Sequence, residues 1–298
     1  MNRGVAYAAG AYILWGLLPI YWKALASVPA LEILAHRVVW ALAVALILVS
    51  FRGSWRWLGQ ALRNRRIVGV FVLTAILLSF NWGLYIWAVN DNHVVEASLG
   101  YFINPLVNVF LGVVFLRERL RFGQALALVI ALAGVLFLTF SYGSPPWIAL
   151  ILAGSFGLYG LLRKTAALGS LEGFTLETMA MFLPALAFLV FTEVTTGGTI
   201  FHASPWITTL LIISGAVTAV PLLLFASGAR MVTMTTLGVL QYIAPTLQFL
   251  LGVLVYGEAL SAERLTGFAI VWVALVIYTL ESVISGGRAA RTRRAGVV

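Results

Sequence analysis

Two long apolar stretches of this chain each carry a row of polar side chains at helical spacing. In the first stretch, Tyr101, Asn104 and Asn108 recur at i, i+3 and i+7, which places them on one face of a helix. In the second stretch, Gln241 and Gln248 share a face in the same way. Amide and phenol groups are costly in hydrocarbon, so they gather where a membrane protein binds a solute or joins its helices. The chemistry that these residue types suggest is binding through hydrogen bonds.

The two rows belong to an internal repeat with a fixed offset of 140 residues. Several positions carry identical residues in the two copies, and they include Ile103/Ile243, Pro105/Pro245, Gly112/Gly252, Glu118/Glu258 and Leu120/Leu260. The match is imperfect where Asn104 faces Ala244. Each row contains a proline, which removes a backbone donor and is expected to break the helix near the middle of its span. We interpret the paired rows as a substrate cavity between the copies. The alternative is that the amides only join helices and the prolines only kink them.

A third stretch could complete this cavity with aromatic walls. Asn81 and Tyr85 stand at i and i+4, with Trp82 beside them, and Tyr242 adjoins Gln241 in the second row. Aromatic walls with one amide suit a moderately apolar or cationic ligand. The alternative for these residues is a general one, since Trp and Tyr populate membrane interfaces.

Glu32, His36 and Arg37 form the only other notable cluster of ionisable residues within a span. Glu32 and His36 are one helical turn apart, so they could share a proton and act with Arg37 as an outer gate or proton-coupling site. Asn90-Asp-Asn-His93 could extend that network. The competing interpretation is capping and snorkelling at the membrane interface.

The elements that carry these residues are predicted to be transmembrane helices. Hydrophobic residues make up 62% of the 298 positions and charged residues 10%, against about 25% charged in soluble domains. Crossing a bilayer takes roughly 20 apolar residues. Ten stretches qualify, and none alternates as a barrel strand would: 4–22, 30–51, 67–89, 94–116, 124–142, 147–166, 173–193, 206–228, 234–256 and 265–284.

The basic residues predict the orientation of the ten helices. With the N-terminus inside, 16 of the 19 Lys and Arg residues fall on the cytoplasmic side and 3 on the other, as the positive-inside rule requires. A repeat of five helices must then enter the membrane from opposite sides. The prediction is an all-α polytopic protein with two inverted repeats, 1–142 and 147–284, and a basic cytoplasmic tail, 285–298.

Several classes of function are not supported by the sequence. There is no Cys, which excludes disulfides and thiolate chemistry. There is no GxxxxGK[ST] motif, no HExxH motif and only one Asp, so neither an ATP site, a metalloprotease nor a two-aspartate protease is indicated. We expect no enzyme activity, cofactor or metal. The net charge of +9 lies in loops and the tail, so topology explains it better than nucleic-acid binding.

The chain resembles the RarD-like members of the EamA family, in the drug/metabolite transporter superfamily. The resemblance covers nearly the whole chain and rests on these segments: His36-Arg-Val-Val-Trp40, Asn81-Trp82, Ser98-Leu-Gly-Tyr-Phe-Ile-Asn-Pro-Leu106, Phe115-Leu-Arg-Glu-Arg-Leu120 and Leu240-Gln-Tyr-Ile-Ala-Pro-Thr246. It implies ten helices as two EamA units and an inner-membrane permease that uses no ATP. The basic tail departs from the family pattern.

The function predicted from these observations is secondary transport of a small organic solute by alternating access, driven by a proton gradient. Facilitated diffusion is the nearest variant, and a non-transporting receptor or assembly scaffold is the alternative from another class. The expected partners are a small-molecule substrate and membrane lipid, with both termini in the cytoplasm. Whether the protein is a monomer or a homodimer stays open.

Overall fold

The computed structural model describes residues 3–53, 55–90, 94–142, 146–199, 202–257 and 262–294. Within these ranges the regular structure is entirely helical, which confirms the predicted all-α class. The helices are α1 (Arg3–Ala24), α2 (Ala30–Phe51), α3 (Arg56–Arg63), α4 (Arg65–Asn90), α5 (Val94–Leu116), α6 (Phe122–Tyr142), α7 (Trp147–Thr165), α8 (Ser170–Thr196), α9 (Pro205–Met231), α10 (Met234–Gln241), α11 (Ile243–Leu250) with a π-helical turn (Leu251–Val255), and α12 (Ala262–Arg294).

The described helices provide the predicted number of membrane crossings. Nine segments are long and apolar enough to span a bilayer, with Met234–Val255 counted as one, and Leu265–Glu281 at the start of α12 adds a shorter apolar segment. Large apolar side chains such as Phe191 and Val194 of α8 are exposed on the outside of the bundle. An exposed apolar surface of this kind suits contact with lipid tails.

The short helix α3 was not among the predicted elements. Its apolar residues Trp57, Leu58 and Ala61 pack against Phe71 of α4 and neighbouring side chains, whereas its arginines are exposed. The helix is too short and too polar to cross a membrane, and its two-sided pattern is typical of a segment lying along the interface. A helix of eight residues lies well below the roughly 20 apolar residues by which a span is recognised in sequence.

The helices pack in pairs that follow the predicted inverted repeat. Helix α1 packs on α9 as α7 packs on α4, and α2 packs on α9 as α8 packs on α4. Helix α5 packs on α7 as the broken helix α10–α11 packs on α1. The remaining large contacts join equivalent helices: α2 with α8, α5 with α10, and α6 with α12. All these extensive contacts are between halves, so the two halves interleave in one body. The boundaries of the two repeats stay a prediction.

Glycines allow the halves to approach closely. A Cβ at Gly215 of α9 would lie 2.3 Å from the carbonyl carbon of Trp40 in α2. A Cβ at Gly238 of α10 would lie 2.5 Å from the carbonyl oxygen of Pro105 in α5. Small residues at helix crossings are a common means of association in membranes, where apolar side chains gain little by leaving lipid.

Contacts between helix ends place both termini on one side of the bundle. Gly4 at the start of α1 lies against Met231 at the end of α9, and Gly123 at the start of α6 lies against Glu281 late in α12. We call this the terminal side, and the other the opposite side.

Candidate functional site

A cavity of about 220 Å³ lies where helices of the two halves meet. Its walls come from the later parts of α1 and α4, the early parts of α2, α5 and α7, the middle of α9, and the broken helix α10–α11. Because α1 and α4 start on the terminal side, this central cavity lies toward the opposite side. Its volume equals that of roughly seven water molecules in the liquid, which suits a small solute.

Most of the predicted binding residues converge on the central cavity. Its lining includes residues from both polar rows and the aromatic residues of α4: Asn81, Trp82, Tyr85, Tyr101, Asn104, Gln241 and Gln248. Pro245 also lines it. The rings of Tyr85 and Tyr101 meet edge to face, with centroids 6.0 Å apart.

The floor of the cavity is a chain of three amides. The Asn108 side-chain nitrogen donates to Gln241 Oε1 at 2.7 Å and to Asn104 Oδ1 at 3.3 Å. Asn108 is 1% exposed and lies beneath the lining. The two polar rows are therefore joined to each other across α5 and α10. The amides here serve both interpretations, since they face the cavity and also connect helices.

Two further lining amides connect helices as well. Asn81 Nδ2 donates to the Leu152 carbonyl at 2.8 Å and to Ser155 Oγ at 2.9 Å, which ties α4 to α7. Gln248 Nε2 donates to the Trp15 carbonyl at 3.3 Å, which ties α11 to α1. Their carboxamide oxygens are the acceptors left for a solute.

Tyr242 lies away from the cavity. It is 2% exposed, packs in an apolar cluster with Phe268, and its hydroxyl donates to the Phe102 carbonyl at 3.3 Å. Tyr242 follows Gln241 by one residue, and a rotation of about 100° along a helix turns it away from the floor.

The two prolines have unequal effects on their helices. The expected break occurs near Pro245, where α10 ends at Gln241 and α11 begins at Ile243. It does not occur at Pro105, because α5 runs through that residue without interruption. In each case the missing N–H leaves the carbonyl four residues earlier without its helical donor. Those carbonyls belong to Tyr101 and Gln241, both of which line the cavity.

Arg37 lies in the cavity wall rather than in a network with Glu32 and His36. Its guanidinium carbon is 4.7 Å from the ring centre of Trp22 and 4.5 Å from that of Trp82. Its Nε donates to Thr218 Oγ1 at 3.0 Å. Aromatic walls alone suit a moderately apolar or cationic ligand. The Arg37 guanidinium excludes the second possibility, because it repels a cationic solute.

Glu32 and His36 are buried outside the cavity lining. Glu32 is 7% exposed and accepts a hydrogen bond from Thr199, while His36 is 3% exposed. Among the described residues no ion pair joins either side chain to Arg37. The proton-coupling role of the three residues stays a prediction. Asn90-Asp-Asn-His93 and Glu258 lie outside the residues whose side chains are described.

Sequence reasoning missed the contribution of α1 to the cavity. Tyr12, Trp15, Pro19 and Trp22 line it and recur at i, i+3, i+7 and i+10, which is one helical face. This spacing of aromatic residues and proline in the sequence could have indicated that one face of α1 lines the cavity. Phe156 of α7 also lines the cavity, packing edge to face on Trp15 with ring centroids 5.7 Å apart.

On the terminal side, a carboxylate joins the end of α5 to the start of α10. Glu118, just after α5, accepts hydrogen bonds from the backbone nitrogens of Met234 and Thr235 at 2.6 and 2.9 Å and from Thr235 Oγ1 at 2.7 Å. An anion at a helix N-terminus satisfies unpaired donors and complements the helix dipole. We call this contact between Glu118 and the start of α10 the terminal-side latch.

The backbone around Glu118 is shaped for the latch. Arg117 has a left-handed conformation with φ 54°, and the Glu118 nitrogen donates to the Gly112 carbonyl at 3.0 Å, ending α5. A Cβ at Gly112 would lie 2.8 Å from Glu118 Oε2. Gly112 and Glu118, two positions that are identical in both copies of the repeat, thus act together in the first copy.

Basic side chains also join helix ends on the terminal side. Lys164 donates to the carbonyls of Ala229 and Val232. Arg230 donates to the carbonyls of Ala166 and Leu168 at 2.7 and 2.6 Å. These contacts hold the α7–α8 connection against the end of α9.

A buried ion pair also lies toward the terminal side of the bundle. Arg163 Nε is 3.6 Å from Glu177 Oε1, and the side chains are 2% and 0% exposed. Arg163 Nη2 donates to the Ser170 carbonyl at 2.9 Å, and the Tyr159 hydroxyl lies 3.5 Å from Glu177 Oε2. The α7–α8 turn folds Arg163, one of the basic residues that the charge distribution assigns to the cytoplasmic side, against Glu177 in the protein interior.

Comparison with known proteins agrees with this architecture. Residues 2–140 match the EamA-like transporter family. Protein RarD of Streptomyces exfoliatus is 48% identical over 99% of this chain and 92% of its own length. The chain belongs to the EamA-like transporter family. It is 46% identical to the uncharacterized transporter YojE of Bacillus subtilis, over 95% of each chain. It is 43% identical to protein RarD of Escherichia coli, over 97% of this chain and 98% of that one.

A solved crystal structure shares the EamA-type fold seen here. It superposes with a TM-score of 0.70 at 22% identity, over 93% of this chain and 97% of the other. At this identity the likeness concerns the fold alone. The protein is a multi-pass membrane protein of a transporter family, with relatives in bacteria.

Proposed function

We propose that this protein is a secondary permease that moves a small organic solute across the bacterial inner membrane by alternating access. The observation that carries the proposal is the central cavity, whose floor joins one polar row from each half through Asn108 and Gln241. Binding sites of many secondary transporters lie between repeats, near broken helices.

Movement of the helices that wall the cavity would expose it to each side of the membrane in turn. The terminal-side latch keeps that side closed while the cavity lies toward the opposite side. Freed carbonyls at Tyr101 and Gln241 add acceptors that a solute can use. An ion gradient is the proposed energy source, since the sequence lacks an ATP motif. One charge moving through 100 mV yields about 2.3 kcal/mol.

Transport is tested by uptake into proteoliposomes. Vesicles are incubated with a defined mixture of amino acids, aromatic acids, aromatic amines and neutral drugs, and internal solutes are identified by mass spectrometry. Asn104→Ala and Gln241→Ala should lower the initial uptake rate at least fivefold, because each removes a cavity amide. Thermal stability should change little, since an interhelical hydrogen bond in a membrane is worth about 0.6 kcal/mol on average.

Gln124→Ala is the matched control for these variants. Gln124 Nε2 lies 3.3 Å from the Tyr278 hydroxyl between α6 and α12, away from the cavity. This variant should transport at the wild-type rate. A protein that moves no solute under any gradient would be a scaffold or receptor instead. Equal uptake by all variants would show that the amides are structural.

We also propose that the terminal side faces the cytoplasm. The chain contains no Cys, so single cysteines report their own exposure. Ala26 lies between α1 and α2 on the opposite side, and Gln60 lies in α3 on the terminal side; both are exposed. A membrane-impermeant maleimide should label Ala26→Cys in intact cells and Gln60→Cys only after lysis. The reverse pattern would invert the proposed orientation.

A further inference from the structure

The guanidinium of Arg37 is a cation in the cavity wall, and the described side chains provide no carboxylate partner for it. Of its five N–H donors, Nε is bound to the Thr218 hydroxyl, and the two tryptophan rings flank the group. Among the described residues it makes no ion pair. Ionisable groups inside a membrane protein are costly and generally pair with a charge or mark a substrate pathway.

Among the residues whose side chains the structure describes, the rest of the cavity lining offers no counter-charge. It holds amides, hydroxyls and aromatic rings, and within that described set it contains no Asp or Glu and no second Lys or Arg. The described lining therefore carries one positive charge.

We propose that the central cavity recognises its solute through a carboxylate that pairs with Arg37, so that the substrate class is small organic monoanions with a flat apolar body. This inference rests on the proposed function, whose binding site it shares. A guanidinium offers two parallel donors that match the two oxygens of a carboxylate. The single positive charge matches one negative charge better than the two of a phosphate group.

The neighbouring side chains provide for the rest of such a solute. Trp22 and Trp82 hold the guanidinium in place by cation–π contacts, so its donors are oriented before a ligand arrives. Trp15, Phe156 and Tyr101 provide aromatic surface for a planar body. An ammonium group would meet no carboxylate among the described lining residues and would be repelled by Arg37.

Three ligands of nearly the same shape test this assignment: benzoate, benzamide and benzamidine, which carry charges of −1, 0 and +1. Each is titrated into the purified full-length protein in lipid nanodiscs, with tryptophan fluorescence as the readout, since Trp15, Trp22 and Trp82 line the cavity. Benzoate should bind at least tenfold more tightly than benzamide, and benzamidine should not bind measurably.

Variants of Arg37 separate charge from shape. Arg37→Gln should remove the preference for benzoate over benzamide. Arg37→Lys should keep the preference with weaker binding, because an ammonium lacks the two-pronged geometry. Arg52→Gln is the matched control, since Arg52 lies on the surface in an exposed ion pair and should bind as wild type. The wild-type series with three ligands remains decisive even where a variant folds poorly.

The outcomes distinguish this inference from the proposed function. Equal binding of the three ligands, stronger binding of benzamidine, or no binding of benzoate would overturn the carboxylate assignment. Uptake of neutral or cationic solutes into proteoliposomes would then leave the permease intact. Selective benzoate binding without uptake of any solute would support the assignment and contradict the permease.

Discussion

Replacing Glu177 with alanine should lower the free energy of unfolding by about 3–5 kcal/mol, because it leaves the Arg163 guanidinium buried without a counter-charge. Arg163 is 2% exposed, and the surrounding space is filled. A Cβ at Gly173 would lie 1.8 Å from Arg163 Nη1, and the guanidinium carbon lies 5.5 Å from the ring centre of Phe71. The side chain cannot reach water without moving helices. Thermal and denaturant unfolding of the purified protein measure the loss.

Two controls show whether the loss comes from the unpaired charge. The double variant Arg163→Met/Glu177→Leu removes both charges and should recover most of the stability, as replacement of buried pairs by apolar residues often does. Arg52→Ala breaks an ion pair of 2.9 Å whose arginine side chain is 62% exposed, and it should cost no more than about 1 kcal/mol. A Glu177→Ala loss as small as that of Arg52→Ala would mean that the buried pair contributes no more than a surface pair.

Removing the carboxylate of Glu118 should open the terminal side. Glu118→Ala deletes the acceptors for three hydrogen bonds at the start of α10, and loss of a helix cap costs about 0.5–2 kcal/mol. A cysteine at Leu237, which is 0% exposed in α10, reports the opening. A water-soluble maleimide should modify it about tenfold faster when Glu118 is alanine, and glutamine at 118 should give an intermediate rate.

A second reporter separates opening from general loss of structure. Ala88 is 0% exposed near the opposite end of α4, and a cysteine there should react at an unchanged rate. Arg119→Ala is the matched control variant, since Arg119 is exposed beside Glu118. An unchanged rate at Leu237→Cys after Glu118→Ala would exclude the latch as a gate. Faster reaction at both reporters would indicate unfolding.

The sequence predicted the helical class and the ten crossings because both depend on composition and length. The sequence also predicted that Asn104 and Gln241 lie close together. Helical spacing determines which face of a helix a residue occupies, and the internal repeat relates the polar face of one helix to that of the other. Helical spacing does not show how deeply a residue on that face is buried. Asn108 shares the face of Asn104 but lies one helical turn deeper, where it is 1% exposed and does not line the cavity.

Partners that meet through a folded turn were not predictable in the same way. Arg163 reads as a loop cation in sequence, and only the turn between α7 and α8 brings Glu177 to it. Arg37 was grouped with Glu32 and His36 because they are adjacent in sequence. Each step of one residue along a helix is a rotation of about 100°. Arg37 therefore faces the cavity, whereas its neighbour His36 and, one turn earlier, Glu32 are buried on another face.

The left-handed backbone at Arg117 recurs at the equivalent position of the second half. That position is Gly257, with φ 65° beside the 54° of Arg117. Glycine adopts this conformation freely, whereas a residue with a Cβ is strained by roughly 1 kcal/mol. The first copy therefore has a strained arginine at this turn, whereas the second copy has an unstrained glycine without a charge. Under the proposed orientation, the positive-inside rule favours arginine on the cytoplasmic side and makes no such demand outside. The two copies of this turn therefore meet different requirements. Arg117 provides the positive charge that keeps its loop in the cytoplasm, whereas Gly257 lets the chain reverse without strain.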